Sequence, residues 1–261
     1  MNCPYEYEVN NMNDVRILSA GEQGLVIEFG DKVDPAVNRK VHDLSKLLQQ
    51  QQNLGIREVV PTYRSLLVYF DPLVVSRREL TDQITKFLAA GGADGSANTE
   101  TRLVTIPVCY GGEYGPDLAF VAQHNGLSEA EVIQIHTSTP YLVYMLGFTP
   151  GFPYMGGMSE KIATPRLKQP RTAIPAGSVG IAGSQTGFYP VQSPGGWQLI
   201  GRTPVKGFDP RLEQPFLLCA GDYVQFQAIT ATEYDAIAAQ AEAGTYRPVI
   251  GKMDQKGEAA L

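Results

Sequence analysis

Glycine and proline recur so densely between Gly147 and Asp209 that no long helix fits there. The block reads GFTPGFPYMGG, then ATPRLKQPRTAIPAGSVGIAGSQTGFYPVQSPGGWQLIGRTPVKGFDP. Glycine reaches backbone angles closed to other residues, and proline fixes its own φ and lacks an N–H, so both favour tight turns over long elements. Even turn spacing without helical periodicity predicts short strands closing, or nearly closing, into a β-barrel. The charge of the block is as unusual as its turns. Glu160 is its only acidic side chain from Thr137 to Phe208, against Lys161, Arg166, Lys168, Arg171, Arg202 and Lys206, in a protein of formal net charge -6. Donors without a carboxylate to neutralise them suggest a loop surface that receives an anion. A β-rich domain with a basic exterior accounts for the same residues equally well.

The length of 261 residues allows one large domain or two small ones. No apolar run is long enough to span a membrane, and residues 1–20 lack the basic start and apolar core of a signal peptide. Cys3, Cys109 and Cys219 are scattered and odd in number, which predicts neither a metal site nor a disulfide framework and fits a reducing cytoplasm. A pI near 5.2 argues against nucleic acid and anionic membranes as partners.

Before the block the pattern changes. Met1 to Asn13 is polar and reads as a mobile lead-in. VRILSAG and GLVIEFG read as paired strands, and Asp34 caps a helix with Pro35 at its first position, where the missing N–H costs nothing. Val37, Val41, Leu44 and Leu48 share one face of it. IREVVPTYR and SLLVYFD form a second strand pair, and Ser76 with Glu79 makes a capping box before Leu80, Ile84, Phe87 and Leu88. The order is ββαββα, a small sheet with both helices on one side, over residues 14–92. GGADGSAN, from Gly91 to Asn98, reads as a linker. A second unit over residues 100–230 opens with the strand RLVTIPVCY. A helix follows Pro116 and ends at Asn125-Gly126, where a left-handed residue is needed, and a second opens with the capping box Ser128 to Glu131 and ends near His136. Thr230 to Glu233 caps a last helix that stops at Gly244, within a C-terminal extension over 231–252, and the tail beyond Met253 reads as disordered.

His136 stands at a helix end, where the negative pole of the helix dipole is expected to raise its pKa. General acid/base work, anion binding and capping of the last carbonyls all suit it. Ala176-Gly177-Ser178-Val179-Gly180 is no nucleophile elbow, because its first glycine stands one place too close to the serine. Cys109 reads as a buried strand residue rather than a nucleophile. GWQLIGRT, from Gly196 to Thr203, mimics a phosphate loop with Arg202 in place of lysine, but Pro204 follows instead of a helix. Contact with phosphate through Arg202 and backbone N–H groups stays open. Phe148, Phe152, Tyr154 and Trp197 are either barrel core or a flat wall for a small ring or a partner. The block has no acids for two-carboxylate hydrolysis or for a carboxylate-held metal, so the composition favours a half-site completed by another chain.

YGGEYGPDL (Tyr110 to Leu118), LGFTPGFPYMGG (Leu146 to Gly157), ATPR with PR (Ala163 to Arg171), IPAGSVGIAGSQTGFYP (Ile174 to Pro190) and SPGGWQLIGRTP (Ser193 to Pro204) closely resemble the hallmarks of the KipI family, also called allophanate hydrolase subunit 1. The likeness runs from about Asp14 to Ile229. It implies an α+β fold: a ferredoxin-like α/β N-terminal domain followed by a cyclophilin-like β-barrel. It implies three family roles. The first is the B subunit of an ATP-dependent 5-oxoprolinase that opens 5-oxo-L-proline to L-glutamate, working with a KipA-type C subunit and a LamB/YcsF-type A subunit. The others are inhibition of a sensor histidine kinase and the carboxyltransferase part of urea metabolism. The family's cleft-lining segments fall on His136, Thr149, Phe152, Arg166, Pro175, Gly177, Ser178, Gln185, Thr186, Ser193, Gly196, Trp197, Arg202 and Thr203. Residue chemistry adds Arg171 as an anion ligand, with His136 and Arg202 as the catalytic candidates and no metal. VKGFDP departs from the family, which usually carries leucine at Lys206-Gly207.

Overall fold

A computed structural model describes residues 10–12, 15–51, 54–91, 101–253 and 259–260. Most of the polar lead-in, most of the GGADGSAN linker and most of the tail lie outside the described residues. The chain divides into two compact units, Met1–Thr99 and Glu100–Leu261.

In the first unit, β1 (Asn10–Met12), β2 (Val15–Ser19), β3 (Gly24–Glu28), α1 (Pro35–Gln49), β4 (Ile56–Pro61), β5 (Ser65–Phe70) and α2 (Arg77–Ala89) follow in order. The five strands form an antiparallel sheet in the order β1-β2-β3-β5-β4. Asp34 caps α1 by accepting from the amides of Ala36 and Val37, and Ser76 and Glu79 close the expected capping box on α2. Val41, Leu44 and Leu48 of α1 join Leu80 and Ile84 of α2 over Ile17, Leu25, Ile27, Leu66, Val68 and Phe70 of the sheet. The element order ββαββα holds, with β1 added at the edge. It is not the βαββαβ order of a ferredoxin-like unit, which it matches only when the last strand of that order moves to the front.

The second unit is a nearly closed barrel, consistent with a cyclophilin-like architecture. It comprises β6 (Thr101–Tyr110), α3 (Leu118–Asn125), α4 (Glu129–Thr137), β7 (Tyr141–Leu146), β8 (Pro153–Gly156), β9 (Arg171–Ile174), β10 (Ser178–Ala182), β11 (Gln185–Phe188), β12 (Ser193–Gly195), β13 (Gln198–Arg202), β14 (Tyr223–Ile229), α5 (Ala231–Glu242), β15 (Val249–Met253) and β16 (Ala259–Ala260). The main path runs β11-β10-β13-β6-β14-β7-β8. Its two ends approach each other, because Gly187 of β11 lies 3.0 Å from the Pro153 carbonyl of β8 at the point where a Cβ would stand. The C-terminal extension also contributes to the sheet, since β15 pairs antiparallel with β6. Val104, Ile106 and Val108 of β6 meet Val179, Ile181, Ile200, Val224 and Phe226 in the barrel interior, and Val121 of α3 and Val132 of α4 belong to the same core. Gly126 ends α3 at φ 67, the left-handed angle expected of it, and the capping boxes of α4 and α5 are both formed.

One irregularity in β13 redirects the strand. Val179 pairs with Gly201, but Gly180 pairs with Leu199, so Ile200 is an extra residue in β13. A bulge of this kind re-aims the side chains beyond it. Ile200 stays in the core, and Arg202 turns to the opposite face beside Ser178 and Cys109, its partners in register. The loop after β6 sits directly on the bulge. Gly111 N donates to the Ile200 carbonyl at 3.1 Å, and a Cβ on Gly115 would stand 2.0 Å from that oxygen. Backbone cannot move aside for a methyl group. Gly115→Ala is therefore expected to lower unfolding stability by about 2 kcal/mol or more; denaturant titration checks this, and a change under about 0.5 kcal/mol would mean that the loop does not clamp the bulge.

Candidate functional site

The basic block is less basic in space than in sequence. Asp117, from outside it, accepts from Arg171 Nη2 at 2.8 Å, and Glu242 of α5 accepts from Lys206 at 2.8 Å. Arg171 also donates to the Trp197 carbonyl at 3.3 Å. Its guanidinium is thus occupied, against the expectation that it serves as a free anion ligand. Lys161, Arg166 and Lys168 are exposed, with no carboxylate partner among the described residues.

The expected cleft residues fall into three groups rather than one. The first lies inside the barrel. His136 is fully buried, with Nδ1 2.7 Å from the Tyr110 hydroxyl, Nε2 2.8 Å from Thr186 Oγ1, and its ring stacked on Phe226 at 4.7 Å. Thr186 Oγ1 donates its one hydrogen to the Gly180 carbonyl at 3.1 Å, so it must accept from His136. That fixes the proton on Nε2 and makes Nδ1 the acceptor of the Tyr110 hydroxyl. Burial pushes the imidazole down from 6.5 to about 3, opposite to the rise expected from the helix end. Burial likewise drives the Tyr110 phenol well up. Every polar atom of the chain Tyr110–His136–Thr186–Gly180 is satisfied. This is the chemistry of a structural network: both ring nitrogens of His136, a catalytic candidate, and the hydroxyl of Thr186, an anion-binding candidate, are engaged inside the barrel. Tyr110 was missed because a tyrosine ending a strand carries no sign of what it will meet.

The second group is aromatic. Phe152 is edge-on to Tyr154, Tyr189 and Trp197 at 5.3 to 5.5 Å, over Ile174, Ala182 and Leu199. Phe152 and Trp197 are buried, so the reading of them as an open flat wall gives way to a second small core. Burial raises the Tyr189 phenol to about 12, while Arg166 and Arg171 pull it the other way. Phe148 alone of the four predicted aromatics is well exposed, at 60%, and its φ of 62 is a left-handed angle rare outside glycine. Beside it the Thr149 hydroxyl is buried without a hydrogen-bond partner. Gly196 gives its carbonyl to Leu167 N at 2.7 Å, Ser193 Oγ reaches the Val191 carbonyl at 3.4 Å, and Gln185 is half-buried on β11.

The third group is the one with chemistry to spare. Gly177 holds φ 81, where a Cβ would stand 2.2 Å from the Thr203 carbonyl and 3.4 Å from Arg202 Cγ. Only glycine fits there, and its absent side chain leaves room for the stem of Arg202. Gly177 N donates to the Tyr189 carbonyl at 2.7 Å, and Thr203 N donates to the Gly177 carbonyl at 2.9 Å. Thr203 Oγ1 accepts from Val205 N at 3.2 Å, and Pro175 is exposed with its carbonyl accepting from Ser178 N at 3.2 Å. Leu199 N is taken by Asp117 at 2.7 Å. Within the phosphate-loop mimic, Leu199 N and Thr203 N are thus committed and take no part in an anion nest. Ser178 Oγ and Arg202 Nε, by contrast, are buried without a hydrogen-bond partner. Around them stand Cys109, Tyr114 and Tyr234, the two tyrosine rings 4.7 Å apart. Burial pushes the Cys109 thiol up, and the Asp235 and Glu113 carboxylates push the same way. Burial also raises the Tyr234 phenol, opposed by the charge of the Arg202 guanidinium and by a hydrogen bond from it, which leaves Arg202 Nε as the unpaired donor. Tyr234 lies within the helical sequence TEYDAIAAQAEA, where nothing local marks it as a neighbour of Arg202. No three His, Cys, Asp or Glu side chains gather as metal ligands among the described residues.

The family described as a carboxyltransferase domain, subdomains C and D, matches residues 15–218. The 5-oxoprolinase B subunit of Bacillus subtilis (strain 168) is 46% identical over 231 residues, covering 85% of this chain and 95% of the relative. The 5-oxoprolinase B subunit of Escherichia coli O157:H7 is 40% identical over 215 residues, covering 82% of this chain and 96% of the relative. Among solved structures, TTHA0988 is 38% identical and superposes with a TM-score of 0.72 over 80% of this chain. The match takes up 41% of TTHA0988, so this chain corresponds to about two fifths of that longer protein.

The buried histidine makes stability depend on pH. Its folded value of about 3 lies below the ordinary 6.5, so on acidification the unfolded chain binds the proton first. Its contribution is complete above about pH 6.5 and is lost as pH falls toward 3, at a rate approaching about 1.4 kcal/mol per pH unit. His136→Gln is expected to be less stable at pH 7 but to lose that slope. Denaturant unfolding of both proteins from pH 7 to pH 4 checks it, and equal slopes would refute it.

Proposed function

Because the chain belongs to the family of carboxyltransferase domains, subdomains C and D, and within it pairs over nearly full length with curated 5-oxoprolinase B subunits, we propose that it is the B subunit of an ATP-dependent 5-oxoprolinase. Near-complete coverage of those relatives at 40% identity or more is the observation that carries the reading. The reaction opens the cyclic amide of 5-oxo-L-proline to L-glutamate, with an A subunit of the LamB/YcsF type and a C subunit of the KipA type as partners. ATP is a co-substrate: the lactam oxygen attacks its γ-phosphoryl group and ADP leaves. One water then adds to the activated ring carbon and the C–N bond breaks, giving the γ-acyl phosphate of glutamate; a second water cleaves that acyl phosphate, leaving glutamate and inorganic phosphate. The setting proposed is the cytoplasm, where ATP is abundant and where Cys109 and Cys219 remain free thiols.

Within this scheme the residues of this chain bind and orient. Arg202 is the cation for the task, because Arg171 and Lys206 already hold carboxylates while Arg202 has none and keeps a buried donor unpaired. A preformed donor aimed at a substrate anion gains strength from burial. His136 takes no part in proton transfer, since both ring nitrogens are engaged inside the barrel. The ATP-dependent step is left to surfaces that the partners complete.

Purified A, B and C subunits mixed with ATP and 5-oxo-L-proline are expected to release glutamate, and omission of this chain is expected to abolish release. Unchanged release without it ends the proposal. Arg202→Ala is expected to lower kcat/KM about 10- to 100-fold, the worth of a hydrogen bond to a charged group. The melting temperature should stay nearly constant; a large stability loss would instead make Arg202 structural.

A further inference from the structure

Five buried side-chain polar atoms lack a hydrogen-bond partner among the described residues: Asp43 Oδ2, Arg102 Nε, Thr149 Oγ1, Ser178 Oγ and Arg202 Nε. Only two of these residues are partners in register, Ser178 of β10 and Arg202 of β13. Residues directly opposite on an antiparallel pair project to the same face with Cβ atoms about 5 Å apart. An arginine Nε–H can only donate, and a serine hydroxyl can donate. Cys109, the next partner in the row, has a thiol that burial and the nearby carboxylates hold protonated, so it adds a weak donor and no charge. The row therefore presents donors to a common face, and Ser178 is fully buried. A polar group is costly to bury unpaired, so adjacent unpaired donors mark a place for an acceptor.

The surroundings restrict which acceptor. Asp235 and Glu113 act on Cys109, and the same two carboxylates, after burial, raise the Tyr114 phenol. Their negative charges repel a dianion such as phosphate about twice as strongly as a singly charged group. The Tyr234 phenol takes another donor of the Arg202 guanidinium and so leaves Nε for a ligand, its ring lies 4.7 Å from that of Tyr114, and Ile229 of β14 pairs with Cys109 to extend the row. We propose that Ser178 and Arg202 form a subsite for a small monoanionic carboxylate, Arg202 Nε–H donating to one oxygen and the Ser178 hydroxyl to the other. This rests on the oxoprolinase reading for the ligand's identity, since 5-oxo-L-proline carries one such carboxylate on a compact ring.

Titration of the full chain with 5-oxo-L-proline, its uncharged carboxamide and inorganic phosphate, followed through the arginine Nε–H resonances, gives the direct test, with Arg202 assigned by its loss in Arg202→Lys. The Arg202 resonance is expected to move with 5-oxo-L-proline, and at least tenfold more weakly with the carboxamide or phosphate. Ser178→Ala should weaken the carboxylate tenfold while its melting temperature holds or rises, because an unpaired buried hydroxyl has been removed. The same variants in the three-subunit reaction should raise KM for 5-oxo-L-proline about tenfold. Equal affinity for acid and carboxamide, preference for phosphate, or an unchanged KM in both variants overturns the subsite. Loss of the reaction with all wild-type subunits present, with carboxylate binding retained, would overturn the oxoprolinase reading and leave the subsite standing.

Discussion

The Asp117 carboxylate holds together the part of the barrel on which the rest depends. One oxygen accepts from Leu199 N at 2.7 Å and the other from Arg171 Nη2 at 2.8 Å, while Asp117 N donates to the Leu199 carbonyl at 2.9 Å. Three segments far apart in sequence meet on one side chain: the loop after β6, the start of β13 and β9. Such an ion pair contributes little as an isolated attraction, because desolvation offsets much of the Coulomb gain. Its value is geometric. With Leu199 fixed on one side and the Gly111–Ile200 bond on the other, the extra residue Ile200 cannot slide out of register, and the direction of every later side chain in β13 follows.

Local signals in the sequence translated well into structure because each is settled within a few residues. Asp34 with Pro35, the boxes Ser76–Glu79, Ser128–Glu131 and Thr230–Glu233, and the left-handed Gly126 all stand where their chemistry put them. What remained hidden depends on distant partners. Arg171 looks free in a block without acids, yet Asp117 lies 54 positions away. His136 looks like a helix-end residue open to solvent, yet Thr186, 50 positions on, encloses it. Charge and burial are properties of the assembled sheet, and a reading of one stretch sees only half of each pair. Gly177 and Ser178 are marked in the sequence by the rejected nucleophile elbow and by the family resemblance, but neither shows the bulge that brings Arg202 beside them.

The inside and the outside of the barrel treat polar groups in opposite ways. Inside, Tyr110, His136, Thr186 and the Gly180 carbonyl form a closed succession in which each hydrogen has one acceptor, and the result is a neutral, rigid core. A group in that position gains nothing from gaining or losing a proton, and burial resists both. On the outer face the Ser178 hydroxyl and the Arg202 Nε are buried without a hydrogen-bond partner, while Tyr234 accepts from the rest of the guanidinium. The same fold thus commits its histidine to stability and leaves its serine hydroxyl and one arginine donor unpaired.

That division traces back to one residue of register. Without the extra Ile200, β13 would keep strict alternation, and the position two beyond Ile200 would face inward with it. Arg202 would then point its charge among Val108, Val179 and Phe226, where no carboxylate waits to pair with it. The bulge lets Ile200 remain core while Arg202 emerges on the face shared with Ser178 and Cys109. The glycines of the flanking loop follow from the same requirement, since Gly115 must lie against the Ile200 carbonyl and Gly177 beside the Arg202 stem. The turn-rich block that first suggested an anion surface is therefore best understood as the packing needed to carry a single arginine through a strand and present its unpaired Nε beside a serine.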